Sequence, residues 1–210
     1  VATGEMSDIA GIPSISTMGP WQAWMFGRGS NPEQGFPYSF TFFWGVEMAM
    51  QTFTKLWDQI DTNKVVGDFY FDNPAGQAFA NPELGLPAVM DAAGYSRVEG
   101  GMYLFDTQDF SGQVSKFTQG NAQIVTGFGF PPNWATFWAQ AGQQGFSPEA
   151  ATYAAAFLFP SAIESLGDRG NGMSTEVWWT PNMPWTSSLT GQTAAELAKA
   201  WTDSSGKQWV

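Results

Sequence analysis

The side chains that could carry chemistry in this sequence are carboxylates, because its 210 residues include no histidine and no cysteine. This composition excludes histidine-dependent triads, thiol nucleophiles and zinc sites built from these ligands. Asp106 and Asp109 are one candidate pair for the two carboxylates of a glycosidase, and Glu33 and Glu47 are another. The first pair is better explained as helix caps, since a helix is predicted to follow it. Because the sequence also lacks a serine-elbow motif, we expect no enzymatic activity, no metal site and no cofactor.

The balance of charge excludes two further classes of partner. The sequence has 8 basic and 19 acidic residues, which gives a net charge of −11 at pH 7. Nucleic acids and anionic membrane surfaces attract the opposite sign, so we expect neither as a partner. The longest apolar stretches, such as residues 153–159, are far shorter than the ~20 residues that a membrane span needs. The aromatic content of 16% argues against disorder.

The elements that must position these residues alternate along the chain. Runs rich in β-branched and aromatic residues predict strands, and spaced apolar residues predict helices between them. The predicted strands comprise residues 12–16, 38–43, 64–71, 98–105, 122–128, 153–159 and 175–179. The predicted helices comprise residues 5–10, 46–60, 77–93 with interruptions at the prolines, 110–119, 132–141, 161–166 and 192–201. Residues 17–37 are predicted to form a long loop, residues 72–76 a turn, and Thr190 the cap of the last helix.

This alternation predicts an α/β fold with a doubly wound, mostly parallel sheet and helices on both faces. In such sheets, ligands bind beyond the carboxyl ends of the strands. Aromatic residues stand at these predicted ends, among them Phe71, Phe105 and Phe159. The pattern Gly127-Phe128-Gly129 is not a dinucleotide fingerprint, because the third glycine is missing and two prolines follow.

The order of these pieces resembles the second lobe of type I periplasmic solute-binding proteins, of the branched-chain amino-acid-binding type. The resemblance is carried by KVVGDFYFDNPAGQAFA at 64–80, a helix ended by Gly94, and the run from MYLFDTQDFSG to FWAQAGQQGF at 102–146. GIPSIS followed by FPYSFTFF resembles the end of the first lobe, and TAAELAKAWTDSSGKQWV resembles the helix after the return crossing. The resemblance implies a Rossmann-like lobe with an incomplete first lobe, in a chain truncated at both ends.

The resemblance also implies a division of the chain and a function. Residues 1–60 form part of the first lobe and the first hinge crossing, residues 61–182 the second lobe, and residues 183–210 the return crossing and a first-lobe helix. Such a clamp closes around a small solute by a hinge motion and delivers it to the permease of an ABC transporter. We therefore expect an exported protein, periplasmic or lipid-anchored. Two alternatives stay open: an enzyme that acts on aromatic or carbohydrate substrates through acids such as Asp72 and Asp106, and a sensory lobe without a transport role.

In the first lobe, the resemblance implies that Thr17, Met18 and Gly19 hold a ligand carboxylate. Backbone N–H groups and a hydroxyl are the donors, and glycine allows the backbone to approach a ligand closely. In the second lobe, Asn73 and Ala75 lie in the loop after the strand at 64–71. Ala75 stands where the family often has an aromatic residue.

Further site residues are implied around the later strands of the second lobe. Phe130 keeps an aromatic ring after the strand at 122–128. Pro160 and Ser161 occupy the place of an acid that pairs a ligand ammonium, and the nearest acid, Glu164, is interpreted as a solvated helix residue. Trp178 and Trp179 flank the return crossing, and only one of them can face the cleft if they lie on a strand. We therefore expect a carboxylate or amide solute with an apolar body.

Overall fold

The computed structural model describes residues 2–17 and 19–208, and within these ranges the strands form two parallel sheets. The small sheet pairs β1 (Ser14–Ser16) with β2 (Ser39–Thr41). The large sheet has the order β4-β3-β5-β6-β7. Its strands are β3 (Val65–Phe71), β4 (Ser96–Tyr103), β5 (Ile124–Phe128), β6 (Ala150–Ala154) and β7 (Met173–Ser174).

Helices connect these strands and cover both faces of the large sheet, which confirms the predicted doubly wound α/β fold. α3, α4 and α5 cover one face, and α6 and α7 cover the other. In chain order the helices are α1 (Ala2–Ala10), α2 (Trp21–Phe26), α3 (Val46–Trp57), α4 (Pro74–Ala80), α5 (Leu86–Ala92), α6 (Ser111–Gln119), α7 (Pro131–Gln143), α8 (Pro160–Glu164) and α9 (Ala194–Ser205).

The core beneath α6 and α7 is built from aromatic rings around Phe69 of β3. The centroid of its ring lies 4.5 Å from that of Phe137 and 4.9 Å from that of Tyr153. Both contacts are tilted, an arrangement that aromatic pairs prefer to face-to-face stacking. The hydroxyl of Tyr153 donates to the carbonyl of Phe69 at 2.9 Å, so this buried polar group is satisfied.

The opposite face is covered in part by α3, whose buried residues belong to one apolar cluster with residues of β3, β5 and β6. Trp57 is fully buried, and its indole N–H donates to the hydroxyl of Thr152 on β6 at 3.0 Å. α3 is therefore part of the body formed by the large sheet, although it precedes residue 61, where the predicted second lobe begins. That predicted division of the chain stays a prediction.

A buried ion pair joins the two strands at one edge of the large sheet. Asp68 of β3 is inaccessible to solvent and accepts from Arg97 of β4 at 2.7 Å and from the hydroxyl of Tyr70 at 2.6 Å. Burial raises the pKa of Asp68, whereas its two partners act in the opposite direction.

The sequence-based boundaries were wrong in two strands. The strand predicted at 153–159 is β6 at Ala150–Ala154, and the strand predicted at 175–179 ends at Ser174. β6 is buried on both faces, so small residues fit there and no alternation of polar and apolar residues marks it. The aromatic run after β6 lies in a turn, where Phe157 still joins the core.

Three further boundaries differ from the predictions. The predicted loop at 17–37 contains α2, and the predicted turn at 72–76 already contains the first turn of α4. α9 is capped by Thr193 rather than Thr190, because Thr193 and Glu196 form a reciprocal capping box.

Candidate functional site

The carboxyl edge of the large sheet carries a cluster of partly exposed aromatic rings. The chain reverses its direction of winding between β3 and β5, and such a switch point opens a crevice at that edge. The ring of Phe71, at the end of β3, lies 5.3 Å from that of Phe130 and 6.2 Å from that of Phe105. These edge-to-face contacts form an aromatic floor at the switch point.

A cavity of about 1350 Å³ lies between the small sheet, α9 and the segments that follow β6 and β7. We call it the aromatic cavity, because its walls include Phe42, Phe43, Trp44, Phe159, Trp178 and Trp179. Leu197 and Trp201 of α9 add apolar surface. A concave apolar site with a few polar groups is the usual form of a small-molecule site.

Three aromatic residues form a packed corner of this cavity. The ring of Trp178 lies edge-on to Phe43, with 5.1 Å between centroids, and 6.4 Å from Trp44. Both Trp178 and Trp179 line the cavity, whereas we expected only one of them to face the cleft. That expectation assumed alternation along a strand, whereas the chain leaves the sheet after Ser174.

The polar part of the cavity favours an anionic or neutral group. Thr17 and Gln208 are the polar residues of the lining that can offer a hydroxyl and an amide, whereas the hydroxyl of Thr41 is buried behind it. Of the described residues in the lining, only Lys207 is charged. A carboxylate would find a hydroxyl, an amide and a cation here, whereas an ammonium group would find no acid in the described lining.

The structure brings Thr17, Trp178 and Trp179 together in the aromatic cavity, and it places the other predicted site residues within the described ranges elsewhere. Gly19 has a φ of +88°, a conformation that glycine adopts without strain. Gly19 is not in the cavity lining. Met18 lies outside the described residues.

The predicted second-lobe residues have structural roles or lie on the aromatic floor. Asn73 caps α4, because its side chain accepts from the backbone N–H of Gly76 at 2.8 Å. Ala75 packs against the core beneath α3. Phe130 belongs to the aromatic floor, and Pro160 and Ser161 form the start of α8.

Pro160 and Ser161 follow directly after the strand that the sequence predicts at residues 153–159. In the structure, β6 ends at Ala154, so these two residues lie six and seven positions beyond it. Their predicted contact with solute is not tested by this geometry.

One acid of each carboxylate pair in the enzyme hypothesis is engaged in a structural bond. Glu47 accepts from the indole N–H of Trp21 at 3.3 Å and from the side chain of Gln22. Asp109 accepts from the backbone N–H of Ser111 at 2.9 Å, and the side chain and this backbone N–H of Ser111 lower the pKa of Asp109. These bonds give both acids a local structural explanation.

Sequence reasoning missed Glu176, a buried acid behind the cavity wall. It is 9% exposed, and it contacts the indole N–H of Trp178 at 3.1 Å, the hydroxyl of Thr175 at 2.9 Å and the backbone N–H of Ala155 at 3.2 Å. Burial raises the pKa of its carboxyl, whereas these hydrogen bonds lower it. The signal was a single acid two residues before the tryptophan pair at 178–179.

Sequence reasoning also missed α2, which lies between β1 and β2 in the chain. Residues in and just after α2 form hydrogen bonds with the start of α3 and with the small sheet. At the start of α2, the side-chain oxygen of Gln22 accepts from the backbone N–H of Val46 at 3.0 Å. Just beyond its end, Arg28 donates to Ser39 of β2 at 2.8 Å and pairs with Asp8 of α1. α2 therefore contacts both bodies of the molecule.

Two searches of the described residues concern membranes and metals. No helix in the described ranges has both the length and the apolar character of a membrane span. Among the same residues, no group of three or more acidic side chains is placed to hold a metal ion.

Comparison with known proteins gives consistent matches. The sequence profile of a family described as periplasmic binding protein matches residues 2–209. A periplasmic binding protein type 1 from Bordetella pertussis Tohama I is similar over 99% of this chain and 53% of its own, with 17% identity and a TM-score of 0.76. No curated protein matches the sequence.

Two further solved structures have the same fold. An ABC transporter substrate-binding protein from Sphaerobacter thermophilus matches 97% of this chain and 52% of its own, with 18% identity and a TM-score of 0.72. A leucine binding protein from Thermotoga maritima MSB8 matches 98% of this chain and 54% of its own, with 15% identity and a TM-score of 0.69. The chain thus spans about half the length of these structures.

Proposed function

This chain belongs to the periplasmic binding protein family, and we propose that it forms the solute-binding part of an exported receptor that serves an ABC importer. Its fold is the type I fold of its structural neighbours. The transporter assignment rests on the family and on neighbours described as ABC transporter substrate-binding proteins. The receptor would bind its solute without changing it and pass it to a permease.

The observation that carries this proposal is the aromatic cavity between the small sheet and the large sheet. Thr17 and Phe42 reach it from the small sheet, and Trp178 and Trp179 reach it from the segment after β7. A solute in the cavity would touch both bodies at once. That is the requirement for a ligand that stabilises the closed form of a clamp.

The lining supports a solute with an apolar body and a carboxylate or amide end. Aromatic walls bury apolar surface, while Thr17, Gln208 and Lys207 offer donors to an acidic oxygen. The described lining holds no carboxylate that could pair a ligand ammonium. The proposed solute is therefore an aromatic or branched carboxylate rather than a zwitterionic amino acid.

The remaining predicted residues enter the proposal through closure of the clamp. Asn73, Ala75 and Phe130 lie at or near the switch point of the large sheet, and Pro160 and Ser161 follow the cavity residue Phe159. We propose that these residues meet the solute, or the rim around it, when the two bodies close.

Isothermal titration of the full-length protein tests this function. A panel of aromatic and aliphatic carboxylates is titrated beside the matched amines and amino acids. One binding event per protein with recovery of unchanged carboxylate is expected. Recovery of an altered compound would support the enzyme alternative, and the absence of binding across the panel would support a sensory or structural role.

The variant Trp179→Ala should weaken binding of the selected carboxylate, because Trp179 lines the cavity. Trp138→Ala is the matched control, since Trp138 lies on α7 and donates to the carbonyl of Arg169 at 2.9 Å. Equal loss of affinity in both variants would contradict the assignment of the cavity.

A further inference from the structure

The contacts of Glu176 define which oxygen of its carboxyl does what. Oε1 is the nearer acceptor for two donors, the indole N–H of Trp178 at 3.1 Å and the backbone N–H of Ala155 at 3.2 Å. Oε2 lies 2.9 Å from the hydroxyl of Thr175 and, at 3.4 Å, is the more distant acceptor for the N–H of Ala155. The two oxygens therefore have different surroundings, as expected for a carbonyl oxygen and a hydroxyl oxygen.

The hydroxyl of Thr175 makes two contacts but has a single proton. It lies 3.0 Å from the backbone carbonyl of Tyr153, which can only accept, and 2.9 Å from Oε2 of Glu176. When the hydroxyl donates to the carbonyl, the second contact is a hydrogen bond only if Glu176 provides the proton. A protonated Glu176 thus satisfies every contact of this group.

The groups that face Glu176 are neutral. β6 and its end contribute the main chain of Tyr153 and Ala155, and the segment after β7 contributes Thr175 and Trp178. Within the described part of the chain, no cation forms an ion pair with Glu176. A buried carboxylate without a counter-charge is costly, whereas a neutral carboxylic acid with three partners is not.

We propose that Glu176 is a neutral carboxylic acid that positions Trp178 and thereby shapes one wall of the aromatic cavity. Glu176 ties the indole N–H of Trp178 to the end of β6, while Phe43 packs edge-on against the ring. The Trp178 ring is held in one orientation by these two contacts. The effect on solute binding rests on the proposed function of the cavity, but the positioning itself does not.

The test compares Glu176→Gln with Glu176→Leu. Glutamine reproduces the neutral pattern, since its oxygen accepts from Trp178 and Ala155 and its amide donates to Thr175. Leucine has a similar size and no hydrogen bonds. Glu164→Gln is the control, because Glu164 is an exposed glutamate in α8.

The first readout needs no solute. The indole N–H resonance of Trp178, assigned by its loss in Trp178→Phe, is followed in ¹H–¹⁵N spectra of the full-length protein. It should keep its position in Glu176→Gln and Glu164→Gln and should shift or broaden in Glu176→Leu. If the Trp178 resonance is lost in Glu176→Gln, Glu176 is not a neutral acid. If the Trp178 resonance is unchanged in Glu176→Leu, Glu176 does not position Trp178.

A second readout covers the case in which the leucine variant fails to fold. The carboxyl carbon resonance of Glu176, assigned by its absence in Glu176→Gln, should keep the shift of a protonated acid at a pH at which exposed glutamates have ionised. Thr175→Val should also displace the Trp178 resonance, because it removes the acceptor of the Glu176 proton. An ionised shift at that pH would overturn the proposal.

Benzoate serves as the probe for the cavity. If wild-type protein binds benzoate, Glu176→Leu should weaken that binding at least tenfold, while Glu176→Gln should change it less than twofold. Equal affinity in both variants would overturn the link from Glu176 to the cavity. If wild-type protein does not bind benzoate, the proposed solute class fails, while the Trp178 resonance still decides the positioning role.

Discussion

Trp178 is fixed from two sides, and the two contacts are of different kinds. Its indole N–H donates to Glu176, and its ring packs edge-on against Phe43. An aromatic pair contributes about 0.5–1.5 kcal/mol beyond its buried area. In the proposed site, the side chain would present a preorganised apolar wall to a solute, and this preorganisation would lower the ordering cost of binding.

Replacing Trp178 separates these two contributions. Trp178→Ala should weaken binding of the selected carboxylate by about 1.5–3 kcal/mol, the scale of one large buried apolar side chain. Trp178→Phe keeps a ring against Phe43 and should lose less. Calorimetric titration measures both, with Trp138→Ala as the control. An unchanged affinity in Trp178→Ala would remove this residue from the site.

Glu176 also gives the stability of the protein a dependence on pH. Its pKa is raised by burial, so in the window above the ordinary pKa of glutamate the folded chain binds more protons than the unfolded chain. The free energy of unfolding should therefore fall as pH rises through that window. Asp68 has a raised pKa and contributes in the same direction.

The variant Glu176→Gln isolates the contribution of one acid. Its unfolding free energy, measured by urea denaturation at a series of pH values, should fall less steeply with rising pH than that of the wild type. Asp68 is present in both proteins, so its contribution cancels in the comparison. Parallel curves for the two proteins would show that Glu176 ionises equally in both states.

At the scale of elements, α9 is the clearest case of a local sequence signal that determines a boundary. Thr193 accepts from the backbone N–H of Glu196 at 3.2 Å, and the carboxylate of Glu196 accepts from the N–H of Thr193 at 2.8 Å. The hydrogen bonds from the backbone N–H and the hydroxyl of Thr193 lower the pKa of the Glu196 carboxyl. The helix thus begins with two of its free N–H groups satisfied.

Thr193→Ala should lower the free energy of unfolding by about 0.5–2 kcal/mol, the usual cost of losing such a cap. Thr190→Ala is the matched control, because Thr190 is exposed and precedes the helix. Thermal and urea unfolding of both variants measure the difference. If the control is destabilised as strongly as Thr193→Ala, the cap does not stabilise the protein.

The sequence predicts the order of elements better than the placement of the site. β3, β5 and α7 are marked by apolar runs and by turn residues, so their predicted bounds lie close to the observed ones. β6 is not marked, because a strand rich in alanine and buried on both faces carries no alternation. The error of several residues there displaced Pro160 and Ser161 from the predicted strand end.

The candidate site depends on contacts that no local pattern encodes. Thr17 and Trp178 meet in one cavity although 160 residues separate them in the chain. The family resemblance predicted both, whereas the role of Glu176 requires the backbone of Ala155 and the hydroxyl of Thr175 to be in place. Such constellations form only after the strands have assembled.

At the scale of the whole molecule, the small sheet exposes apolar side chains that a two-stranded sheet cannot cover. Ile15 of β1 is 71% exposed and Phe40, its partner on β2, is 51% exposed, and Ile9 of α1 is also open. Apolar surface of this kind marks an interaction site. Because the matched structures are about twice as long, we expect further polypeptide of a first lobe to cover this face.

The 210-residue chain by itself should therefore bind an apolar dye and self-associate at high concentration, and it should bind the selected carboxylate far more weakly than the full-length protein. Dye fluorescence, light scattering and calorimetric titration measure these properties. Equal affinity of the two proteins would place the whole site within the large-sheet body. If the chain stays monomeric and does not bind the dye, the small-sheet face is not an interaction surface.

The segment from α2 to Arg28 is attached near both of its ends. Gln22 accepts from the backbone N–H of Val46 at the start of α3, and Arg28 donates to Ser39 of β2. A displacement of the small sheet away from α3 therefore has to break one of these two bonds or bend the segment between them, in addition to moving the peptide chain at 42–45.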